Sequence, residues 1–343
     1  GTHGNFATQL RRVELTSTSG RVDVAGQGID ETTGNGNFGV RIIASTIEAA
    51  NILVDGEASN GANRNFGTYV SGGSMNSTNG FLVVLGAGNG LSSGFGNYGT
   101  LVRNVTLAAL GDSMQVTGSG GGGISNNFGA RADGGSFSSD VGSAIVRGSA
   151  IAGTTGSGNY GLRVGGAKVS AGTNLEFSGT GGGGRNNNHG VQLARVRGDA
   201  GNRLDVAGSA ISTTTGSNNQ GTLLIRNRLS SEGEATLAGT GGGGMSRNAA
   251  ARVIGGSFGS TLDSLMIEGE ADAATTGRGN GGVYLLAGAK LTGTSIEIEG
   301  TGGGGVGGNF GTFIAGNVSA PGAVVTGTAT DGVSDDEAGG FVP

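Results

Sequence analysis

The chain has 343 residues, of which 79 are glycine, 2 are proline and none is cysteine. The missing cysteines exclude disulfides, thiolate nucleophiles and zinc–thiolate sites, and the lack of a proline-rich Gly-X-Y period excludes collagen. The net charge of −5 is spread along the chain and offers no footprint for nucleic acid. No apolar run approaches the roughly 18 residues needed for membrane insertion. Charge is low and apolar residues recur, so a folded chain is predicted.

An asparagine recurs at nearly regular spacing and marks the start of each repeat unit. Neighbouring landmarks are 28 to 32 residues apart, and two steps together always give 60 to 62 residues. A unit of about 30 residues, arranged in alternating pairs of about 61, is typical of a solenoid. The landmarks are Asn5, Asn37, Asn65, Asn97, Asn127, Asn159, Asn188, Asn219, Asn248, Asn280 and Asn309.

The strand following each landmark carries an apolar residue five positions after the asparagine. The residue just before it varies in polarity from unit to unit. A constant apolar position beside a variable one is the period-two alternation of a half-buried strand. These eleven residues are predicted to form one buried column. They are Leu10, Ile42, Val70, Val102, Ala132, Val164, Leu193, Leu224, Val253, Leu285 and Ile314.

Two more strands are predicted in each unit. The second contributes about one apolar residue, such as Leu15, Phe137 or Phe258. The third has an apolar-x-apolar-x-Gly form, as in Leu175 and Phe177. The outward positions of the third strand are predicted to be Asp23, Asp55, Arg147, Glu176, Asp205, Glu268 and Glu299.

The loops alternate between two kinds. A G-T/S-G-G-G-G run begins at Gly118, Gly179, Gly239 and Gly300, and T-T-G occurs in other units at residues 32–34, 154–156, 214–216 and 275–277. Glycine supplies positive φ at tight corners and leaves room where loops stack. The asparagines are expected to stack and hydrogen-bond along the axis. The two loop kinds are therefore predicted to project from one corner of two kinds of coil.

Aromatic residues follow most landmarks and are predicted to stack in a column. They are Phe6, Phe38, Phe66, Tyr98, Phe128, Tyr160 and Phe310. The column lapses at His189, Gln220, Ala249 and Gly281. The stack is therefore expected to be interrupted in the middle of the chain.

Three strands per unit, each matching its equivalent one unit later, predict an all-β fold: a right-handed parallel β-helix solenoid. Residues 1–343 are predicted to form a single solenoid of about 11 coils with three strands per coil, as a segment of a longer chain or a filament subunit. At ~4.8 Å per coil the rod is about 50 Å long. A left-handed hexapeptide helix repeats at ~18 residues, and leucine-rich repeats need a different core pattern. Neither fits the period and glycine-rich returns of this chain.

The N-[FY]-G-V-x-L start, G-G-[AS] corner and L-x-V-x-G-T-G-G-G-G end of the units resemble bacterial exported β-helix repeats. The resemblance is to the filamentous-haemagglutinin-like adhesins and autotransporter passengers, and it covers essentially the whole chain. It implies export, an extracellular or cell-surface location, and a stalk or adhesive role, with no specific ligand. The chain departs from that group in its longer coil and in showing no two-partner secretion domain.

Other functions were weighed against this one. Carbohydrate-active lyases and hydrolases also use right-handed β-helices, and they are the alternative function. The carboxylates of this chain, however, are scattered at about one per coil. Two pairs are expected to share a column, Glu268 with Glu299 and Glu176 with Asp205. His3 and His189 are far apart, without a nucleophile pattern, and are predicted to be surface or loop residues. We expect no catalytic residues and no cofactor, and the GGGG runs lack a phosphate-loop ending.

The acidic residues of the last loop are candidate calcium ligands. They are Asp331, Asp335, Asp336 and Glu337. Ice binding is an alternative, although no continuous T-x-T column is visible. No capping helix is readable at either end, so the coils are expected to continue in the same chain or to associate head-to-tail with another copy. Cell-surface or carbohydrate ligands are the other partners that we consider.

Overall fold

A computed structural model describes residues 3–29, 34–329 and 338–341 of the chain, the last range as backbone only. The described residues form strands and no helix, and every strand pairing is parallel. Successive coils stack into a right-handed parallel β-helix of about eleven turns, as predicted. The described part contains no helix that could cross a bilayer.

The strands take three positions in each coil. In the second coil the three segments run together into one strand of 20 residues. The strands are β1 Phe6–Arg11, β2 Glu14–Gln27, β3 Phe38–Glu57, β4 Phe66–Ser77, β5 Leu82–Ala87, β6 Tyr98–Arg103, β7 Thr106–Ala109, β8 Met114–Ser119, β9 Phe128–Asp133, β10 Ser136–Ser139, β11 Ala144–Ser149, β12 Tyr160–Gly165, β13 Lys168–Ala171, β14 Asn174–Thr180, β15 Val191–Ala194, β16 Arg197–Ala200, β17 Arg203–Ser209, β18 Thr222–Ser231, β19 Ala235–Thr240, β20 Ala249–Ser260, β21 Leu265–Glu270, β22 Gly281–Thr292, β23 Ser295–Thr301, β24 Phe310–Ile314, β25 Asn317–Ser319, β26 Gly322–Thr328 and β27 Ala338–Phe341.

The predicted column from Leu10 to Ile314 is confirmed without a break. Each of its eleven residues is the register partner of the next, from the Leu10–Ile42 pair to the Leu285–Ile314 pair. Ten of them are buried, and Leu10, in the first coil, is partly buried. The register of this column therefore holds through the described coils, although irregularities shift the pairing after Ser17 in β2 and after Ile254 in β20.

The second strand position shows where a ladder can tolerate a missing side chain. Its apolar column is interrupted by Gly198, which pairs with Val169 on one side and Leu229 on the other. A Cβ built at Gly198 would lie 2.7 Å from Leu229 Cδ2 and 3.0 Å from Leu175 Cδ2. Neighbouring leucines therefore fill the space, and packing is kept without a side chain at this position.

The outward residues of the third strand occupy two positions along the strand. Asp23, Glu176 and Asp205 lie between the two apolar residues of their strands, whereas Arg147 and Glu268 lie after the second one. The register pairs Glu176 with Asp205, and Glu268 with Glu299, as expected. Two parallel columns exist because both positions point outward on the same pleated strand.

A close approach of the first and third strands divides each coil into two compartments. A Cβ at Gly118 would lie 2.1 Å from the Gly129 carbonyl oxygen, and one at Gly148 would lie equally close to that of Gly161. Only glycine fits where two backbones come this near. The apolar core lies on one side of this constriction, and the asparagines and glycine-rich loops lie on the other.

The predicted asparagine ladder runs along the second compartment. The backbone N–H of Asn97 donates to Asn127 Oδ1 at 3.0 Å, and the same bond recurs from Asn159 to Asn188 at 2.9 Å. Ten of the eleven landmark asparagines are fully buried. A buried amide with its hydrogen bonds made is stable, whereas an unpaired one is costly. The ladder therefore locks the register of the loops.

The two loop kinds do stack at the same corner. Thr154 Oγ1 donates to the Gly183 carbonyl oxygen at 3.0 Å, and Thr275 does the same to Gly304 at 2.7 Å. A Cβ at Gly182 would lie 2.5 Å from Thr154 Oγ1, while Gly184 has a φ of 117°. Three glycines of the run are thus needed mainly for close approach, and the last for its backbone angle. Residues 32 and 33 of the first T-T-G lie outside the described residues.

The residue before each landmark explains the asparagine-rich stretches. It has positive φ throughout the described coils, and it is glycine in most of them. Asn187 occupies this position with a φ of 56°, and Arg247 with a φ of 58°. Asparagine tolerates the left-handed region better than other side chains do. In the NNN run, Asn187 therefore makes the turn and Asn188 enters the ladder.

Candidate functional site

A groove with a volume of about 670 Å³ runs parallel to the rod axis on the described surface. It extends from Asp55 in the second coil to Thr240 in the eighth, on the outer side of the third strands. We call it the axial groove. Its floor is the backbone of the glycine column that forms the constriction, and an outward column flanks it on each side.

One wall of the axial groove is a column of hydroxyl groups. Its members are register partners in five consecutive coils, about 4.8 Å apart. They are Ser119, Ser149, Thr180, Ser209 and Thr240. Four of these residues are exposed and Ser209 is partly buried. Each hydroxyl can donate and accept a hydrogen bond, so the wall presents the same polar group at every coil.

The opposite wall is mixed. It carries Leu85, Thr117, Arg147, Ser178, Ala207 and Ala238 in successive coils. Hydroxyls therefore face each other across the glycine floor only at Thr117 with Ser119 and at Ser178 with Thr180 within the groove. A regular two-column threonine face, as an ice-binding surface would need, is not formed here.

The charge in the middle of the axial groove is neutralised locally. Arg147 donates two hydrogen bonds to Glu176, from Nε to Oε1 at 2.7 Å and from an Nη to Oε2 at 2.6 Å. This hydrogen bonding lowers the pKa of Glu176, and it raises the pKa of Arg147. Such paired charges hold each other in place. Most of the groove is thus uncharged, and its lining is largely apolar, with the hydroxyl column along one wall.

Acidic side chains mark the end of the axial groove. Past Thr240 the next coils carry Glu268, Glu270 and Glu299, which line a separate shallow hollow. The Glu268 and Glu299 carboxylates share a column, as the sequence predicted. Within the described ranges, no group of three or more His, Asp or Glu side chains is arranged to hold a metal ion. The predicted calcium ligands Asp331, Asp335, Asp336 and Glu337 lie outside the described residues.

The two histidines have different surroundings. His3 is exposed and forms an isolated bridge with Asn35. His189 lies in a loop segment as expected, but it is buried, with 3% of its surface exposed. Its Nδ1 accepts a hydrogen bond from the Gln220 backbone N–H at 3.3 Å, and its ring meets Tyr160 edge-on at 5.1 Å. Burial first, and the charges of Arg252 and Arg163 second, lower the pKa of His189 to about 3. It is therefore a neutral member of the outer column.

The axial groove was not predicted from the sequence, although the signal is present. The glycine that ends each third strand is followed by a small residue, as in Gly118-Ser119, Gly148-Ser149 and Gly179-Thr180. The residue between two outward positions points inward, so this repeated glycine lets the third strand approach the first strand in successive coils. The approach itself depends on contact with the first strand, which the sequence pattern alone does not show.

Comparisons of the chain with protein-family models, curated proteins and solved structures found no match. The fold assignment therefore depends on the register itself. That register is consistent in three independent features: the apolar column, the asparagine ladder and the glycine constriction. All three repeat at the same spacing, so they identify one type of coil repeated along one axis.

Proposed function

We propose that the protein is an extracellular structural and adhesive rod, and that its axial groove is the adhesive surface. The observation that carries the proposal is the register of the third strands, which places a hydroxyl column along the outside of five consecutive coils. A solenoid of this kind transmits load through hydrogen bonds of every strand, and it displays equivalent side chains at fixed intervals. An extended polymer is the ligand that such a surface suits.

The chemistry of the axial groove favours an extended carbohydrate as that polymer. Sugar hydroxyls both donate and accept hydrogen bonds, and Ser and Thr hydroxyls match them in both respects. The central ion pair between Arg147 and Glu176 leaves little net charge to attract an ionic chain. The groove spans seven coils, or about 30 Å at the usual strand spacing. It is therefore long enough for several sugar units.

The rod also offers a coil-shaped face at each end of its described part. β1 and β2 pair only with β3 among the described strands, and Phe6 of the first coil is 39% exposed. At the other end, Val324 in β26 is 59% exposed. Open backbone of this kind pairs readily with another strand edge. We propose that further coils cover these faces, either from the same chain or from a second copy in a filament.

The adhesive part of the proposal is tested with a neutral linear hexasaccharide, cellohexaose, by titration calorimetry. Ser149→Tyr places a large side chain across the axial groove and is expected to weaken binding at least tenfold. Ser170→Tyr is the matched control, since Ser170 is exposed on the second strand of the next coil, away from the groove. Binding that is equal in both variants, or absent from the parent chain, would contradict the assignment of the groove.

The structural part is tested separately by electron microscopy of the native material. Rods of uniform width are expected, with lengths that are multiples of the single chain if copies join end to end. A uniform population of short particles, one chain long with covered ends, would contradict the filament. It would not bear on the groove, which the titration tests.

A further inference from the structure

The outer aromatic column contains a gap where a side chain is replaced by a cavity. From Phe6 to Tyr160 the rings stack with centroids 4.8 to 5.2 Å apart. The next four positions hold His189, Gln220, Ala249 and Gly281, and an aromatic ring returns only at Phe310. A cavity of about 300 Å³ opens beside Ala249. That volume is at the lower end of the range for small-molecule sites.

One of the vacant positions is filled by a ring from a different column. Tyr284 is three residues after Gly281, and a Cβ built at Gly281 would lie 2.1 Å from Tyr284 Cε2. The Tyr284 ring meets Phe310 edge-on with centroids 6.3 Å apart and is tilted against Phe313 at 6.0 Å. Ala249 has no ring of its own and is buried, with 2% of its surface exposed. It lines the cavity together with the aromatic side chains of Tyr284, Phe310 and Phe313.

The cavity is polar at defined atoms. Arg252 Nε and Tyr284 Oη are both buried and make no hydrogen bond within the described residues. Buried donors without partners are costly, and they commonly mark a ligand or ion that completes them. Burial is the main cause of both pKa shifts at this site. It lowers the pKa of Arg252 and raises the pKa of Tyr284 to about 12. At neutral pH the tyrosine is a hydrogen-bond donor, and arginine keeps its charge.

The charge of the cavity is positive. Arg247 stands at its exposed rim, Arg252 lies within it, and no carboxylate is among its lining residues. Arg247 also has a φ of 58°, at a position that is glycine in the next two coils.

We propose that this cavity binds a small ligand made of one planar aromatic ring system and a carboxylate. The ring occupies the vacant position of the column beside Ala249 and packs against Tyr284. The carboxylate faces Arg247 and Arg252 and accepts hydrogen bonds from Arg252 Nε and Tyr284 Oη. A planar guanidinium binds a carboxylate through parallel hydrogen bonds, and aromatic rings in contact add to the binding through offset or edge contacts. This site is independent of the axial groove.

The probe for the test is 2-naphthoate, whose fluorescence reports binding to the full chain. We expect saturable binding, with 2-naphthamide at least tenfold weaker because it lacks the charge. Ala249→Phe fills the ring position and is expected to abolish binding, while Arg252→Gln is expected to weaken it at least tenfold. Tyr284→Phe removes only the hydroxyl and is expected to weaken binding three- to tenfold.

The matched control is Arg163→Gln, at the same column position in a coil whose aromatic ring is present. This variant is expected to bind the probe as the parent chain does. No binding to the parent chain, full binding by Ala249→Phe, or preference for the non-aromatic glucuronate would each overturn the proposal. If Ala249→Phe does not fold, as circular dichroism would show, the Arg252→Gln and Tyr284→Phe affinities decide the question.

Discussion

The first six coils and the four that follow them differ in their outer column but not in their register. In the first six, stacked rings cover the outside of the first strand, with arginines over several of them. In coils seven to ten these rings are missing, yet Val253 still pairs with Leu285 and Asn248 still bonds to Asn280. The core and the asparagine ladder therefore set the stacking of coils. The outer column is free to vary, and it can acquire a binding function.

The comparison is tested most severely by a charge in the core of each region. Val164→Asp and Val253→Asp each place an unpaired carboxylate in the buried column, and each is expected to cost about 5 kcal/mol of unfolding free energy. Urea denaturation followed by circular dichroism measures this loss. Ser170→Asp, on the exposed face, is the control and should change little. A much smaller loss at Val253 would show that the core does not support the two regions equally.

The second prediction concerns the outer column itself. Phe128 is 2% exposed and stacks between Tyr98 and Tyr160, so Phe128→Ala is expected to cost about 3–4 kcal/mol. Gln220→Ala, at the same column position in the ring-free coils, removes an amide whose Oε1 has no partner within the described residues. It is expected to cost about 1 kcal/mol or less. Equal losses in the same denaturation assay would mean that the outer column contributes equally in both regions.

The boundary between the regions is predicted to be sensitive to acid through His189. Its pKa is about 3 in the folded chain, against about 6.5 in the unfolded chain. The unfolded state therefore binds the proton first, and stability falls as the pH drops from 6.5 towards 3. At pH 4 the loss is roughly 3 kcal/mol. His189→Gln copies the residue of the next coil and should remove this part of the pH dependence. An unchanged slope in the variant would show that His189 is accessible to protons in the fold.

Much of the fold could be predicted because the repeat signals agree with one another. The landmark asparagines and the apolar residue five positions later define the register, and the lapse of rings after Tyr160 predicts the interruption of the stack. The two outward columns are also readable, since Asp23 lies between Val22 and Val24 whereas Asp55 follows Val54. The filling of the Gly281 space by Tyr284 was unpredictable. The Tyr284 ring lies at the position of a different column, and the spacing of residues in the sequence does not indicate such a displacement.

The smallest predicted effect separates backbone strain from ligand binding in the two regions. Arg64 and Arg247 both precede a landmark asparagine, with φ values of 56° and 58°, and both are exposed. Replacing either residue by glycine relieves about 1–2 kcal/mol of backbone strain in the folded chain. Part of this stabilisation is lost again, because glycine has more conformational freedom in the unfolded chain. Arg64→Gly and Arg247→Gly are each expected to raise the unfolding free energy by about 0.5–1 kcal/mol.

Only Arg247→Gly should also weaken the binding of 2-naphthoate, because only Arg247 borders the cavity. A chain that becomes more stable while losing its ligand would show that the strain at Arg247 is kept for binding; unaltered affinity would show that Arg247, like Arg64, merely tolerates its backbone angle.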